Sequence, residues 1–337
     1  MLTPNDVAKC EQWFDDHGLP YFVEAGHESI RRAFAARVVL LWTGIALVIG
    51  VGAGVLAKVA NASWPDAVWA AIVSAALVGL LRGARVFRVP LIGRWALAHA
   101  WEGRSLLVPL ATRALPFLLL FITFLFINTE VWQVASSLSR PLLWSTVAVF
   151  VVLAVAFLAP SFDKEISRLG AEVEGERLAA SCAGTPVASA AREILDEPHL
   201  AREVAGIRLR GLQRNNLLLM LFITQAIQVV SLALIVFTFF VVFGSIAIQP
   251  DVIESWVGHA PTYETGGLHL VSNELFSVAV FLSGFAGLYF TVQAVIDQNY
   301  RREFFSQIED DLQRAIGVRK VYVALRAHLA DQPPRTT

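Results

Sequence analysis

From Leu217 to Ile248, thirty-two residues pass without a charged side chain, and only Gln225, Gln228 and a few hydroxyls interrupt the apolar run. As a helix rising 1.5 Å per residue it would reach about 48 Å, against a bilayer hydrocarbon core of about 30 Å. The run therefore predicts a membrane helix that tilts, kinks or continues past the lipid. Arg208, Arg210 and Arg214 precede it and Asp251 and Glu254 follow it, so the positive-inside bias places its start in the cytoplasm.

Five further apolar segments extend this reading to an all-α membrane protein with six transmembrane helices in three hairpins, accompanied by cytoplasmic amphipathic helices. The expected divisions are a cytoplasmic N-terminal segment, 1–37; hairpin one, 38–81; a basic cytoplasmic loop, 82–113; hairpin two, 114–160; a cytoplasmic helical insertion, 161–216; hairpin three, 217–296, with an outer loop 249–270; and a cytoplasmic helical tail, 297–337. Ser63-Trp64-Pro65-Asp66 has the chemistry of a helix start: a hydroxyl cap, an early proline and a carboxylate at the positive dipole end. Gly50 and Gly54 form a GxxxG whose expected use is close packing within the chain. The third span is expected over Pro116 to Val134, and the fourth, from Leu142 to Ala159, is expected to end at Pro160. In the insertion, Thr185-Pro186 reads as the cap and first residue of a helix that Asp196-Glu197-Pro198 ends, with one helix then running from His199 through Asn216. In the tail, Gly317 is expected to interrupt an amphipathic helix.

The N-terminal segment reads as a helix from Asn5 to His17, with Val7, Cys10, Trp13 and Phe14 on one face, stopped by Gly18 and Pro20. Six acidic side chains against Lys9 alone in residues 1–30 do not make a signal peptide, so the first span is expected to act as its own insertion signal. The Trp13-Phe14 pair, the turn Gly18-Leu19-Pro20-Tyr21-Phe22-Val23, and the late stretch Phe285 to Val292 followed by Asp297, Tyr300, Arg301 and Phe304 resemble a group of uncharacterised bacterial multi-pass integral membrane proteins. That resemblance covers both ends of the chain and implies no activity, substrate or site residue.

Charge tests the topology. Of 27 Lys and Arg, only Lys58 and Arg140 fall outside in this arrangement, while six of 28 acids do: Asp66, Glu130, Asp251, Glu254, Glu264 and Glu274. The inner face is thus positive and the outer negative, with both termini in the cytoplasm and the cell membrane as the expected location. A hydrophobic fraction of 56% and a mean hydropathy of +0.58 agree, and a net charge of −1 offers nothing to nucleic acid. Cys10 and Cys182 both fall in inner segments, where thiols stay reduced. Leu91, Trp95, Ala98 and Trp101 recur at helical spacing among arginines, so Arg94 to Leu107 is expected along the inner bilayer surface, as a basic loop that fixes topology and rests on the bilayer or, in the sharper reading, as one with anionic lipid as a partner.

Catalytic patterns are missing: no HExxH, GxxxxGK, GxSxG or CxxC occurs. Asp310-Asp311 reads as a solvated helix face. His259 and His269 with Glu254 and Glu264 supply metal-ligand types in the outer loop but no helical i, i+4 histidine pair, so neither a metal nor another cofactor is expected. Within the membrane, Thr224 or Gln225, Gln228 and Ser231 form a polar stripe on the fifth span; Gly284, Gly287 and Thr291 form a small-residue packing face on the sixth; Glu130 and Glu274 could make an outer acidic mouth. Equal depth predicts that Gln228 meets Gly284. The functional expectation is a non-enzymatic scaffold or effector presenting cytoplasmic helices to a protein partner or to a second copy; the alternative is a channel or transporter using the polar stripe and the outer acids.

Overall fold

The computed structural model describes residues 4–19, 21–23, 35–61, 63–102, 115–207, 211–263, 271–296 and 298–331. Among the described residues every regular element is an α-helix. In order they are α1 (Pro4–Asp16), α2 (Ala36–Val59), α3 (Trp64–Val86), α4 (Val89–Glu102), α5 (Leu115–Phe126), α6 (Thr129–Ser137), α7 (Arg140–Glu172), α8 (Glu176–Ser181), α9 (Ala188–Asp196), α10 (Pro198–Gly206), α11 (Leu212–Ala247), α12 (Pro250–Val257), α13 (Asn273–Ile296) and α14 (Gln298–Asp331). Five of them, α2, α3, α7, α11 and α13, are long and apolar enough to cross a membrane. The chain divides into two compact units: residues 1–99, 162–224 and 305–337, and residues 100–161 and 225–304.

In the first unit α2 and α3 form an antiparallel hairpin. Its turn is built as its sequence dictates, since the Ser63 hydroxyl accepts from the Asp66 amide at 3.3 Å and Pro65 occupies the first turn, where its missing N–H costs nothing. A Cβ added to Gly50 would lie 2.8 Å from the Ala71 carbonyl oxygen, and one on Gly54 would lie 3.1 Å from that of Ala67. The GxxxG therefore seats one backbone against the other. Helix α3 runs to Val86, so Arg82 and Arg85 belong to its last two turns rather than to a loop. On α4, Ile92 and Ala96 are fully buried and Trp95 half-buried, and Ile92 and Trp95 pack at the Gly18 turn. The most buried face of α4 is thus turned toward protein, while Arg94 and Leu97 are exposed; the side chains of Ala98 and Trp101, and residues 103–110, lie outside the described residues.

Three expected helix ends move. Helix α7 continues through Pro160 to Glu172, because Phe162, Ile166, Leu169 and Val173 form a buried stripe at helical spacing whose packing outweighs the one backbone hydrogen bond the proline forfeits. Helix α14 continues through Gly317, where a side chain would collide with Ser181 and Cys182; the glycine marks a close approach to α8, not a break. The expected single helix from His199 to Asn216 is instead α10 and the start of α11, separated at Ile207 and by Gly211, whose φ of +56° is left-handed. Thr185 does not cap α9, which begins at Ala188; its hydroxyl donates to the Cys182 carbonyl at 2.7 Å.

The second unit is built on α13, 61% of whose span window is buried against 6% for α2 and α3. The expected third span is two short helices. The Asn128 side chain accepts from the amides of Glu130 and Val131 and so caps α6, while the Trp132 indole N–H donates to the Phe126 carbonyl that ends α5. Helix α7 runs parallel to α13, with the Arg140 guanidinium bonded to Asn273 at 2.9 Å and Phe150 against Phe281 and Phe285. Helix α11 runs antiparallel to it, with Phe237 on Phe276 and Gly244 against Leu275.

The two glycines of α13 face different neighbours. A Cβ on Gly284 would meet Phe150 at 3.3 Å and Val147 at 3.4 Å, both on α7, while one on Gly287 would meet Val229 at 3.2 Å and Ala233 at 3.9 Å, both on α11. Gly284 therefore does not pair with Gln228, although the depth that equates the middles of the two helices is within a turn of the observed register. A Cβ separation of 3.9 Å suits a disulfide. Ala233→Cys with Gly287→Cys should crosslink on mild oxidation, whereas cysteines at 228 and 284 should not. The reverse result would put the wrong face of α13 against α11.

Candidate functional site

The polar groups of the first unit converge on the short turn after α1. That helix ends where the chain must reverse: Gly18 has a φ of +71°, and the Leu19 amide returns to the Phe14 carbonyl at 2.8 Å. Leu19, Tyr21 and Phe22 are buried, so their backbone groups have no water and need partners. Asn216, in the first turns of α11 and itself fully buried, supplies two: its side-chain oxygen accepts from the Tyr21 amide at 3.2 Å, and its side-chain nitrogen donates to the Gly18 carbonyl at 3.1 Å. The Tyr21 hydroxyl donates at 2.9 Å to the carbonyl of Val86, the last residue of α3 and one of that helix's orphan acceptors. The Arg319 guanidinium of α14 donates to the Phe22 carbonyl at 2.9 Å. Gly18, Tyr21 and Phe22 are thereby bonded to α3, α11 and α14.

Helix α14 is held at two more points. The Tyr322 hydroxyl donates to Glu11 at 2.7 Å, and its ring packs edge-on to Phe14. Lys320, 3% exposed, donates to the carbonyls of Gly170 and Val173 at the end of α7, with Glu174 at 3.9 Å. A cation on the negative end of a helix is favourable, and these two acceptors lack helical donors. Burial nevertheless lowers the Lys320 pKa, an effect that Glu174 opposes. Burial raises the Tyr21 and Tyr322 phenols from 10 to about 12; Arg88 opposes the shift at Tyr21, and the hydrogen bond to Glu11 adds to it at Tyr322. Burial likewise pushes the Cys182 thiol up to about 12, so this cysteine is no nucleophile at neutral pH.

The residues singled out from sequence take different positions. Gln225 and Gln228 are buried, and they share a stripe on α11 with Leu217, Leu221, Leu232, Val236 and Phe240. The glutamines thus sit on the packing face of the helix; Thr224 and Ser231 flank it half-buried, and the Thr224 hydroxyl donates to Met220 in its own helix. Thr291 is buried and donates to the Gly287 carbonyl, again within its own helix. Glu130 is exposed in the first turn of α6, whereas Glu274 is 4% exposed and accepts from both the amide and the hydroxyl of Thr262. Glu274 therefore fastens the Thr262 segment to the start of α13, and its carboxylate is turned away from water. His259 is exposed, with its ring against the Ala260 carbonyl, while Glu264 and His269 lie outside the described residues, as do Arg208, Arg210 and Asp297. Among the described residues, no group of three or more His, Cys, Asp or Glu is placed to hold a metal ion.

Asn216, Arg319 and Lys320 are the residues that sequence reasoning passes over. Asn216 had a signal of its own, the second of two adjacent asparagines at the very start of an apolar run, but nothing local points 195 residues back to Tyr21.

No protein-family model, no curated protein and no solved structure matches the chain.

Asn216→Leu should destabilise the first unit by about 2–6 kcal/mol, since two buried backbone groups lose their partners at about 1–3 kcal/mol each. Tyr21→Phe, which leaves one helix-terminal carbonyl unmet, should cost about 1 kcal/mol. Thermal unfolding of the detergent-solubilised protein measures both. The raised phenols give a direction with pH: the tyrosines stay neutral in the fold up to about 12 but ionise near 10 when unfolded. Their stabilisation is therefore complete below pH 10 and is lost as pH climbs to about 12, and Tyr322→Phe should flatten that decline.

Proposed function

We propose that this chain is a non-enzymatic membrane scaffold that presents the helices of its first unit to a cytoplasmic protein or to a second copy of itself. In this reading it crosses the cell membrane six times in three hairpins, 38–81, 114–160 and 217–296, with both termini in the cytoplasm. The third crossing combines α5 and α6, since twelve residues of helix rise only about 18 Å and nine more bring the pair to about 32 Å. The charge asymmetry supports the orientation.

What carries the scaffold reading is the Asn216 clamp. The N-terminal turn is hydrogen-bonded to α3, α11 and α14, its two Asn216 bonds fully buried, and Lys320 ties α14 to the end of α7, which is the construction of a rigid platform rather than of loose connecting loops. The runner-up, a channel or transporter, draws on one observation: among the described residues the side-chain oxygen of Gln228 has no hydrogen-bond partner, although the residue is only 5% exposed. A buried amide oxygen of that kind could contact a passing solute.

Labelling of single cysteines in intact cells tests the orientation. Ser255→Cys on α12 should react with an impermeant maleimide at once, and Glu176→Cys on α8 only after permeabilisation; the opposite pattern inverts the topology. Purified protein in liposomes should show no ion flux above empty liposomes. A flux abolished by Gln228→Leu would replace the scaffold by the channel.

A further inference from the structure

The hairpin of α2 and α3 is tight at one end and open at the other. Toward the turn, Gly50 and Gly54 bring the backbones into contact at Ala71 and Ala67. Toward the far ends the helices part: a Cβ on Gly79 or Gly83 would meet nothing within 4 Å. Between them lies a cavity of about 310 Å³, walled by Trp42, Thr43 and Ala46 on α2 and by Gly79, Arg82 and Gly83 on α3. That volume is at the lower end of the range for ligand sites, about 300–1,000 Å³.

Its chemistry is divided. The walls are apolar or glycine backbone, and the Thr43 hydroxyl is engaged with the Val39 carbonyl of its own helix. At one side the Arg82 guanidinium lies over the Trp42 ring, 5.7 Å from its centroid, which fixes both groups. Arg82 is four residues from the end of α3, about 6 Å along the axis, and tryptophan and arginine at that height are characteristic of the boundary between headgroups and acyl chains. Only 6% of the span window of either helix is buried, so the groove opens sideways to whatever surrounds the hairpin. Arg85, exposed one turn further, and Arg88 add positive charge on the same side of the membrane.

We propose that this groove binds one anionic phospholipid of the inner leaflet, with an acyl chain against Ala46 and Gly79 and the phosphate on the Arg82 guanidinium. A planar guanidinium matches phosphate geometry, and the glycines leave room for a chain where any larger residue would fill the groove. The proposal rests on α2 and α3 crossing the membrane and is independent of the scaffold role.

Native mass spectrometry of the detergent-purified protein, offered phosphatidylglycerol and phosphatidylcholine in equal amounts, reads the preference. The intact chain should retain the anionic lipid at least about five-fold over the zwitterionic one, the contribution expected of one arginine near the surface. Arg82→Gln should abolish the preference, Gly83→Leu should displace the lipid while leaving unfolding unchanged, and Arg85→Gln should keep most of the preference. Equal retention of the two lipids by the intact chain overturns the proposal, as does loss of preference on Arg85→Gln but not on Arg82→Gln. Quenching of a variant with Trp42 as its only indole by brominated phosphatidylcholine separates the two levels of failure. Quenching without anionic preference removes this site alone, whereas no quenching removes the membrane crossing and the site together.

Discussion

The two hydrogen bonds of the Asn216 amide are the contact on which the first unit depends. They are made in a place without water, so neither Gly18 nor Tyr21 can exchange its partner for solvent, and each bond carries the desolvation cost of the group it satisfies. Because Tyr21 is fixed, its hydroxyl can reach the end of α3; because Phe22 is fixed, its carbonyl is in place for Arg319. The aromatic cluster of Phe14, Phe22 and Tyr322 then closes around a backbone whose polar groups are already paired. Packing provides most of the free energy, but the amide decides which arrangement of the four chain segments is the unique one.

The membrane-sized helices were legible in the sequence because they answer to one property, a run of apolar residues long enough for the bilayer, and that property is local. Hydropathy cannot say which helix stands at the centre. The most apolar and longest run, in α11, has 22% of its span window buried; the less hydropathic α13 has 61%. Its small residues explain the difference, since Ser277, Ala279, Ser283, Ala286 and Gly287 let neighbours come close and contribute little hydropathy of their own. The helix ends were the least legible part. Pro160 and Gly317 read as breaks from local propensity, yet one is carried by a stripe of buried side chains and the other is required where α8 approaches. Asn128 is the converse, a residue inside an apolar stretch whose side chain bonds two amides and starts a second helix where hydropathy would continue the first.

The candidate sites were legible by residue type and not by role. Gln228, Gly284 and Glu274 were each conspicuous as polar or small residues in apolar surroundings. What each does depends on the face it occupies, and a difference of three residues along α13 sends Gly284 to α7 and Gly287 to α11. Glu274 looks like an interfacial carboxylate until the Thr262 segment folds over it, 12 residues away in sequence but absent from any helical pattern.

A single rule connects most of the buried polar contacts. A helix in an apolar medium satisfies its own backbone everywhere except at its ends, where four carbonyls and four amides are left over. Here those ends are where other segments attach, distant ones at Tyr21 on the last carbonyl of α3 and Lys320 on those closing α7, and the next helix where the Trp132 indole meets the carbonyl of Phe126. Each attachment satisfies a group that would otherwise be buried without a partner, and it can be made at only one place along the helix. The ends therefore set the register that apolar side chains, which pack almost as well one turn away, would leave open. Gln228 stands outside this rule, a polar side chain in mid-helix with an oxygen that no donor among the described residues meets. A group whose burial stabilises nothing evident is the first place to look for a role that packing does not explain.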